Sequence, residues 1–319
     1  MQQTGLKISE QLAQLNPKGA YVDLNSLLRV RFAAQDLRLF VKRAVKSQLN
    51  GAERTRFRGR GMDFEEVRLY QAGDDVRSID WRVTARTQVP HTKLYREERE
   101  RPVFVLVDQR SPMFFGSQRC FKSVLAAHIA ANLAWAALNN SDRIGGLIFG
   151  DSGQRDIRPR RSKHAVLELL HQLQEFNQQL RSPIAPPESK SLHALLNDAR
   201  RIAKPGCALF MISDFHDYDQ SCEQQLFELA RHTDVTLIHV FDPLEKQLHS
   251  NTRLTVSDGS ARLQLPTDEA RFQQAYQTAY TNRLDFLTHS TKRLGIPLLS
   301  YATTDNLQQL LRERFAARK

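Results

Sequence analysis

Val103-Phe-Val-Leu-Val107 is a continuous run of five apolar residues, three of them β-branched, and Asp108 follows it. Such a run is typical of a strand that is buried on both faces of a parallel sheet. Comparable runs recur at residues 144–149, 208–213, 235–241 and 296–301. Segments with a helical period separate them, at residues 119–139, 165–176, 192–203, 223–231 and 269–294. This alternation predicts an α/β fold with a doubly wound, mostly parallel sheet covered by helices on both faces.

Shorter elements complete the prediction. Residues around Ile157 are expected to pair with the preceding strand as a hairpin, and residues 254–256 with residues 263–265 as another. Helices are predicted over residues 24–49 and 306–317. The chain is therefore divided into a loose N-terminus (1–24), a helical and charged-loop extension (25–101), the α/β domain (102–305) and a C-terminal helix (306–319).

The composition is that of an ordinary globular protein, with 41% hydrophobic and 25% charged residues in a chain of 319. The most apolar long run, residues 123–138, contains His128 and Asn132 and is shorter than the ~20 residues that a membrane span needs. Residues 1–14 contain no apolar core of a signal peptide. Three scattered cysteines favour neither a disulfide framework nor a zinc site. We expect a cytoplasmic protein that does not insert into a membrane and that associates with one only through partners.

The net charge is +11 at pH 7. A basic protein attracts nucleic acid, an anionic membrane face or an acidic protein partner. Because no motif that reads nucleic acid accompanies the charge, nucleic-acid binding is kept only as an alternative function. Residues 155–163 hold five of the basic side chains. Their simplest interpretation is a solvated loop before a helix, and the alternative is a docking patch for an acidic protein or a phosphate.

Carboxylates follow several of the predicted strands. Asp108, Asp151, Asp214 and Asp242 each stand at or just after the end of one, and open α/β sheets bind ligands beyond the carboxyl ends of their strands. Mg²⁺ takes one or two carboxylates together with neutral oxygens. Asp108 and Asp214 are therefore candidate ligands of such an ion.

Catalysis has little support in the sequence. No glycine-rich phosphate-binding motif follows a predicted strand, and no G-x-S-x-G elbow occurs. His216 lies between Asp214 and Asp217, which is compatible with acid–base chemistry or metal-assisted hydrolysis. A solvated loop is the simpler interpretation of these three residues, and the chain is expected not to be an enzyme.

Residues 58–101 combine dense charge with aromatic side chains. Arginines alternate with carboxylates, while Phe64, Tyr70 and Trp81 supply apolar anchors and Gly73 begins a turn. Arginine forks clamp carboxylates with two hydrogen bonds, so this pattern favours an ordered ion-pair network. Arg, Trp and Tyr are also favoured in binding hot spots. The segment is therefore interpreted either as a rigid cap on the sheet or as a recognition surface.

Gly61 to Arg86 match the pattern G-x-D-F-x-E-x-R-x-Y-x-x-G-D-D-x-R-x-I-D-W-x-x-x-A-R. The match resembles the signature of the bacterial domain of unknown function 58 (DUF58) family, and the resemblance extends over residues 25–305. The chain is similar to the short, soluble members rather than to those with two N-terminal membrane helices. The resemblance implies a von Willebrand factor A-like domain of Rossmann-type layout, and partners that include a MoxR-type AAA+ ATPase and other von Willebrand A proteins.

Von Willebrand factor A domains hold a metal through a D-x-S-x-S motif after the first strand, a threonine from a middle loop and an aspartate after a later strand. Here Arg110 and Pro112 stand at the two serine positions. Asp108, Ser111 and Asp214 are therefore interpreted as the remnant of a degenerate metal site, in which Arg110 pairs with Asp108 in place of the metal. No cofactor is expected, and Mg²⁺ binding is kept as an alternative.

The predicted function is that of a non-catalytic adaptor or co-chaperone that acts with a MoxR-type AAA+ ATPase in the assembly or maturation of protein complexes. A metal-dependent ligand-binding protein and a nucleic-acid-binding protein are the alternatives. Ten residues of the signature are expected to form the partner-binding surface: Asp63, Glu66, Arg68, Tyr70, Asp74, Asp75, Arg77, Asp80, Trp81 and Arg86.

Overall fold

The structure is a computed structural model, and it describes residues 12–39, 62–71, 73–97, 102–181, 191–248, 254–257 and 261–316. The chain forms two compact units. The sheet unit comprises Met1–Val41 and Arg101–Lys319, and the hairpin unit comprises Lys42–Glu100.

The described residues contain ten strands: β1 (Met62–Leu69), β2 (His91–Glu97), β3 (Val103–Asp108), β4 (Ile144–Gly150), β5 (Gly153–Arg160), β6 (Ala208–Ser213), β7 (Asp234–Phe241), β8 (Leu254–Ser257), β9 (Arg262–Leu265) and β10 (Leu298–Ala302). The α-helices that lie wholly within the same ranges are α1 (Leu24–Arg29), α2 (Trp81–Thr87), α3 (Lys122–Asn139), α4 (Lys163–Gln179), α5 (Leu192–Ile202), α6 (Gln220–Ala230), α7 (Pro243–Lys246), α8 (Ala270–Leu294) and α9 (Leu307–Phe315).

Six strands of the sheet unit form one sheet in the order β10-β7-β6-β3-β4-β5. Neighbours are parallel except for β5, which pairs with β4 in the antiparallel direction. Counted from β3 as the first strand, the order is 3-2-1-4-5-6, a common order of doubly wound sheets. The predicted α/β fold, its parallel strands and both hairpins are confirmed.

The apolar run of β3 lies in the middle of this sheet, and all six of its residues are buried. Its side chains alternate between two cores. Val103, Val105 and Val107 belong to the cluster that α3 and α4 cover. Phe104 and Leu106 belong to the cluster on the opposite face, which α5 and α6 cover. A strand that needs apolar side chains on both faces reads as an unbroken apolar run.

The helix predicted over residues 24–49 is wrong in its length. Helix α1 ends at Arg29, a 3₁₀ turn continues over Val30–Asp36, and residues 40–61 lie outside the described ranges. The indole nitrogen of Trp135 donates a hydrogen bond of 3.1 Å to the carbonyl oxygen of Leu27. In a continuing α-helix that carbonyl would accept a hydrogen bond from the backbone nitrogen four residues later. Packing against α3 therefore competes with the local helical period.

The N-terminal elements belong to the sheet unit. Leu27, Val30 and Ala34 are buried in the same core cluster as α3, and Leu37 forms an isolated antiparallel bridge with Ala316. The compact units therefore divide the chain near residues 41 and 101, whereas the predicted extension grouped residues 25–101 together.

The basic stretch of residues 155–163 is not the solvated loop that was predicted. Residues 155–160 lie in β5, at the edge of the sheet, and α4 begins at Lys163. Ile157 lies opposite Gly146 in the strand pairing and is buried, while Arg155, Arg158 and Arg160 are exposed. An edge strand whose other face is exposed to solvent can be held in the sheet with a single buried apolar side chain among exposed charged ones.

The hairpin unit has regular structure where a charged loop extension was predicted. β1 and β2 pair in the antiparallel direction, with a register shift between Phe64 and Glu66. A 3₁₀ turn over Val76–Ser78 and helix α2 connect the two strands. The hydroxyl groups of Ser78 and Thr92 lie 2.8 Å apart. The register shift interrupts the alternation of apolar and charged residues in β1, so its sequence lacks an unbroken period of two.

Candidate functional site

Asp108, the last residue of β3, is fully buried and paired with a buried cation. The Nη2 of Arg110 lies 2.8 Å from Oδ2 of Asp108, and the backbone nitrogen of Arg110 donates to Oδ1 of Asp108 at 3.0 Å. The hydroxyl of Ser213, at the end of β6, donates to Oδ2 at 2.7 Å. The Asp108–Arg110 pair that the sequence predicts is therefore present at the carboxyl edge of the sheet.

The guanidinium of Arg110 also reaches the loop after β6. Its Nη1 and Nη2 donate to the two carboxylate oxygens of Asp217 at 2.7 and 3.0 Å. Asp217 in turn accepts from the backbone nitrogen of Leu192 at 2.9 Å, at the start of α5. Burial opposes the charge of Arg110, but Asp108 and Asp217 outweigh it and raise the pKa of the guanidinium. Burial likewise opposes the charge of Asp217, yet Arg110 lowers the pKa of that carboxyl.

A second buried cation holds Asp214. Lys122, the first residue of α3, is 2% exposed, and its Nζ lies 2.7 Å from Oδ2 of Asp214 and 2.6 Å from Oε1 of Glu245. Burial opposes the lysine charge, but the two carboxylates outweigh it and raise the pKa of Lys122. Burial also opposes the charge of Asp214, but His216 and Lys122 outweigh it and hold its pKa below the ordinary value.

His216 does not lie in the solvated loop that was predicted. Its Nδ1 donates to Oδ1 of Asp214 at 2.9 Å and lies 3.7 Å from Oδ1 of Asp217. Burial would lower the pKa of the imidazole, but Asp214 and Asp217 outweigh burial and raise it. Asp214, His216 and Asp217 therefore each have a charged neighbour within this loop or beside it.

Asp242, after β7, joins the loops at the other end of this edge. The backbone nitrogen of Ser117 donates to it at 2.8 Å, and the hydroxyl groups of Ser117 and Thr303 donate to its two oxygens. Burial opposes its charge, but these donors outweigh burial and lower its pKa. Its backbone nitrogen donates to Oε2 of Glu245 at 3.0 Å, which completes the capping box of α7.

The residues of the predicted metal remnant have separate partners. Asp108 pairs with Arg110, Asp214 pairs with Lys122, and the hydroxyl of Ser111 donates to Asp151. Within the described part of the chain, no group of three His, Cys, Asp or Glu side chains is placed to hold a metal ion. A divalent cation does not fit between Asp108 and Asp214, because each of these two carboxylates already faces a buried positive charge.

A cavity of about 710 Å³ opens at the same edge, within the sheet unit. Its walls include Lys122, Asp214, His216, His239, Tyr280 and Arg283. A volume of this size falls in the ~300–1,000 Å³ range of small-molecule sites.

Comparison with known proteins identifies the family. The family described as "Protein of unknown function DUF58" matches residues 66–285. The chain belongs to the DUF58 family. It is 29% identical over 276 residues to Uncharacterized protein Rv1480 of Mycobacterium tuberculosis, with 85% of this chain and 84% of that protein covered. The same values hold for Uncharacterized protein Mb1516 of Mycobacterium bovis.

Two solved structures are similar in part. The SpRpn10 VWA domain is 13% identical, with a TM-score of 0.35 over 67% of this chain and 94% of that domain. Proximal thread matrix protein 1 from the mussel byssus is 12% identical, with a TM-score of 0.32 over 44% of this chain and 37% of that protein.

The DUF58 signature lies in the hairpin unit, and several of its carboxylates stabilise the local backbone. Asp74 accepts from Nη2 of Arg68 at 2.7 Å and from the backbone nitrogen of Gln71 at 2.9 Å. Asp75 and Asp80 cap the 3₁₀ turn and α2 through the backbone nitrogens that follow them. These aspartates were predicted to bind a partner, and the structure assigns them local contacts.

Other signature residues are exposed. Trp81 is 66% exposed at the first position of α2, and Arg77 and Arg86 are exposed on the same unit. The hydroxyl of Tyr70 donates to the carbonyl oxygen of Asp74 at 3.3 Å. The remaining predicted side chains, those of Asp63 and Glu66, lie outside the description of the structure.

Three residues of the sheet edge escaped the sequence analysis: Lys122, Glu245 and His239. A signal for Lys122 was present, because a lysine at the first position of a helix is opposed by the helix dipole. Its neighbours in the sequence are apolar and alanine-rich, so a charge there required a partner from elsewhere in the fold. Glu245 and His239 carried no comparable signal.

Among the described residues, no helix is both long and apolar enough to cross a bilayer.

Proposed function

We propose that this DUF58 protein is a non-catalytic adaptor or co-chaperone that acts with a MoxR-type AAA+ ATPase in the assembly or maturation of protein complexes. The observation that carries the proposal is the 66% exposure of Trp81 in the hairpin unit. Tryptophan is on average largely buried in a folded chain, and it is enriched at the centres of protein interfaces.

The surroundings of Trp81 support a protein partner. Arg77, Arg82 and Arg86 are exposed on the same short segment, and arginine is the other residue type favoured in hot spots. Val76 is 58% exposed in the turn before α2. An exposed aromatic and aliphatic surface among arginines fits an acidic protein face better than bulk water.

The aspartates of the segment fix this surface in place. Asp75 and Asp80 are occupied by backbone nitrogens, so the turn and α2 are held by their own caps. A preformed surface loses little conformational entropy when it binds. The kind of partner is taken from the family resemblance, in which DUF58 members accompany MoxR-type ATPases.

The test is an affinity purification from native lysate with the wild-type chain and an Arg77→Ala/Trp81→Ala variant, in ATP and Mg²⁺. Arg31→Ala/Phe32→Ala is the matched control, since Phe32 is 57% exposed and Arg31 lies 4.6 Å over its ring in the other unit. Circular dichroism establishes that all three proteins fold.

A AAA+ ATPase identified by mass spectrometry is expected with the wild type and the control. In a calorimetric titration, the purified ATPase is expected to bind the Arg77→Ala/Trp81→Ala variant about 30-fold more weakly than the wild type, which is the effect of losing a strong hot spot. Recovery of no AAA+ ATPase, or equal affinity for all three proteins, would overturn the proposal. Nucleic acid in the eluate that salt removes would favour the alternative function instead.

A further inference from the structure

The cavity at the carboxyl edge of the sheet has an aromatic wall. Phe115, Phe241, Tyr280 and His239 line its volume of about 710 Å³. The ring of His239 stacks on that of Phe241, with 5.4 Å between centroids and 14° between planes. Flat apolar walls of this kind suit a ligand with an apolar or aromatic body.

The carboxylates of the cavity already have hydrogen-bond donors. Asp214 accepts from Lys122 on Oδ2 and from His216 on Oδ1. Glu245 accepts from Lys122 on Oε1 and from the backbone of Asp242 on Oε2. A cationic ligand at Asp214 or Glu245 would have to displace one of these buried contacts, which is costly in a site of low dielectric constant. Asp151, the third carboxylate of the wall, accepts from the backbone nitrogen and the hydroxyl of Ser111.

The cavity wall, in contrast, has N–H groups that no described acceptor uses. An ammonium group has three N–H bonds, and Lys122 uses two of them. His216 uses Nδ1, and no described residue bonds its Nε2. Arg283 is exposed on α8 beside Tyr280, with its Cζ 5.6 Å from the ring centroid, and pairs with no carboxylate in the described ranges.

His239 adds a neutral polar ring to the aromatic wall of the cavity. Its side chain is 6% exposed, and its buried Nδ1 has no hydrogen-bond partner among the described residues. A buried polar atom without a partner costs about 1–3 kcal/mol. Burial lowers the pKa of this imidazole to about 4, so the ring is neutral at pH 7 and offers one donor and one acceptor.

We propose that this cavity binds a carboxylate carried on an apolar body, held by Lys122, His216 and Arg283 without a metal ion. The aromatic wall receives the apolar body, and the surplus donors receive the carboxylate. The inference stands apart from the adaptor function, because it uses the sheet unit and that function uses the hairpin unit. A small organic acid and the carboxyl terminus of a polypeptide share this chemistry.

Calorimetric titration in EDTA tests the proposal with matched probes. Phenylacetate is compared with phenylacetamide, and the tripeptide Gly-Gly-Phe with its C-terminal amide. Inorganic phosphate serves as an anion without an apolar body. The variants are Arg283→Gln and, as a control on the same helix, Arg271→Gln, which is exposed and absent from the cavity wall.

At least one acid is expected to bind about tenfold more tightly than its amide and than phosphate. Arg283→Gln is expected to weaken that binding about tenfold and Arg271→Gln to leave it unchanged. Tighter binding of phenylacetate would identify the ligand as a small organic acid, and tighter binding of Gly-Gly-Phe would identify it as the carboxyl terminus of a polypeptide. The proposal is overturned if no acid binds at millimolar concentration, if amides or phosphate bind equally well, or if Arg283→Gln has no effect.

Discussion

The Nζ of Lys122 lies 2.7 Å from Oδ2 of Asp214, although the lysine is the first residue of a helix and is 2% exposed. The helix dipole disfavours a cation at this end, and burial disfavours it further. Asp214 and Glu245 together offset both costs. The sheet edge therefore depends on a charge balance built from three distant segments of the chain.

Removal of the Lys122 charge is expected to destabilise the protein strongly. Lys122→Met removes the cation that Asp214 and Glu245 share and leaves His216 as the remaining partner of Asp214, at a cost of about 3–5 kcal/mol. Chemical denaturation measures the loss. Lys163→Met is the matched control, a lysine that also begins a helix but is exposed. Equal free energies of unfolding for Lys122→Met and Lys163→Met would contradict this prediction. So would a double variant, Lys122→Met/Asp214→Asn, that is no more stable than Lys122→Met alone.

Substitution of Arg110 by lysine is expected to be destabilising even though the charge is kept. The guanidinium bridges Asp108 and Asp217, and an ammonium group cannot reproduce this forked geometry. The loss of these charge-assisted bonds costs about 2 kcal/mol. Urea denaturation compares this variant with Arg158→Lys, an exposed arginine on β5. Equal midpoints and slopes for the two variants would contradict the forked contact.

Stability is expected to fall between pH 6.5 and about pH 4 because of His128. This imidazole is buried beside Ser26, with Asp23 as its charged neighbour, and burial lowers its pKa from 6.5 to about 4. The unfolded chain therefore binds the proton first, and stability is lost as the pH falls through this window. The contribution is on the order of 3 kcal/mol.

The pH dependence is measured by denaturation of the wild type and of His128→Gln, which cannot titrate. The difference in unfolding free energy between them is expected to shrink as the pH drops from 6.5 to about 4. His171 lies on α4 and is exposed, so His171→Gln is the control. A constant difference across the window would show that His128 does not titrate in this way.

The cap of α2 is expected to depend on the side-chain oxygen of Asp80 rather than on its charge. Asp80 accepts from the backbone nitrogens of Arg82 and Val83, and asparagine caps helices about as well as aspartate. Asp80→Ala is expected to speed amide exchange in α2, whereas Asp80→Asn preserves protection. Equal exchange in both variants would mean that the contact of Asp80 with Lys93 matters more.

The signature segment shows how far sequence reasoning reached. The DUF58 family that its pattern indicates is confirmed, and Arg68 and Asp74 form the kind of ion pair that its composition predicts. The sequence did not predict that Asp75 and Asp80 cap the 3₁₀ turn and α2, because an aspartate that caps a turn and one that binds a partner have the same local sequence, and their partner-binding role stays a prediction. Only the backbone geometry around them distinguishes the two.

The sequence by itself determined the α/β class, the strand positions of the central sheet and the family. These features follow from period, from unbroken apolar runs and from a local signature, all of which act over short distances along the chain. Only the tertiary structure decided which charges meet: Lys122 with Asp214 and Glu245, and Arg110 with Asp217. Those partners lie about a hundred residues apart in sequence, with separations of 92, 123 and 107 positions. Their pairing arises because parallel strands bring their carboxyl ends to one edge, where a buried charge needs an opposite charge or hydrogen-bond partners.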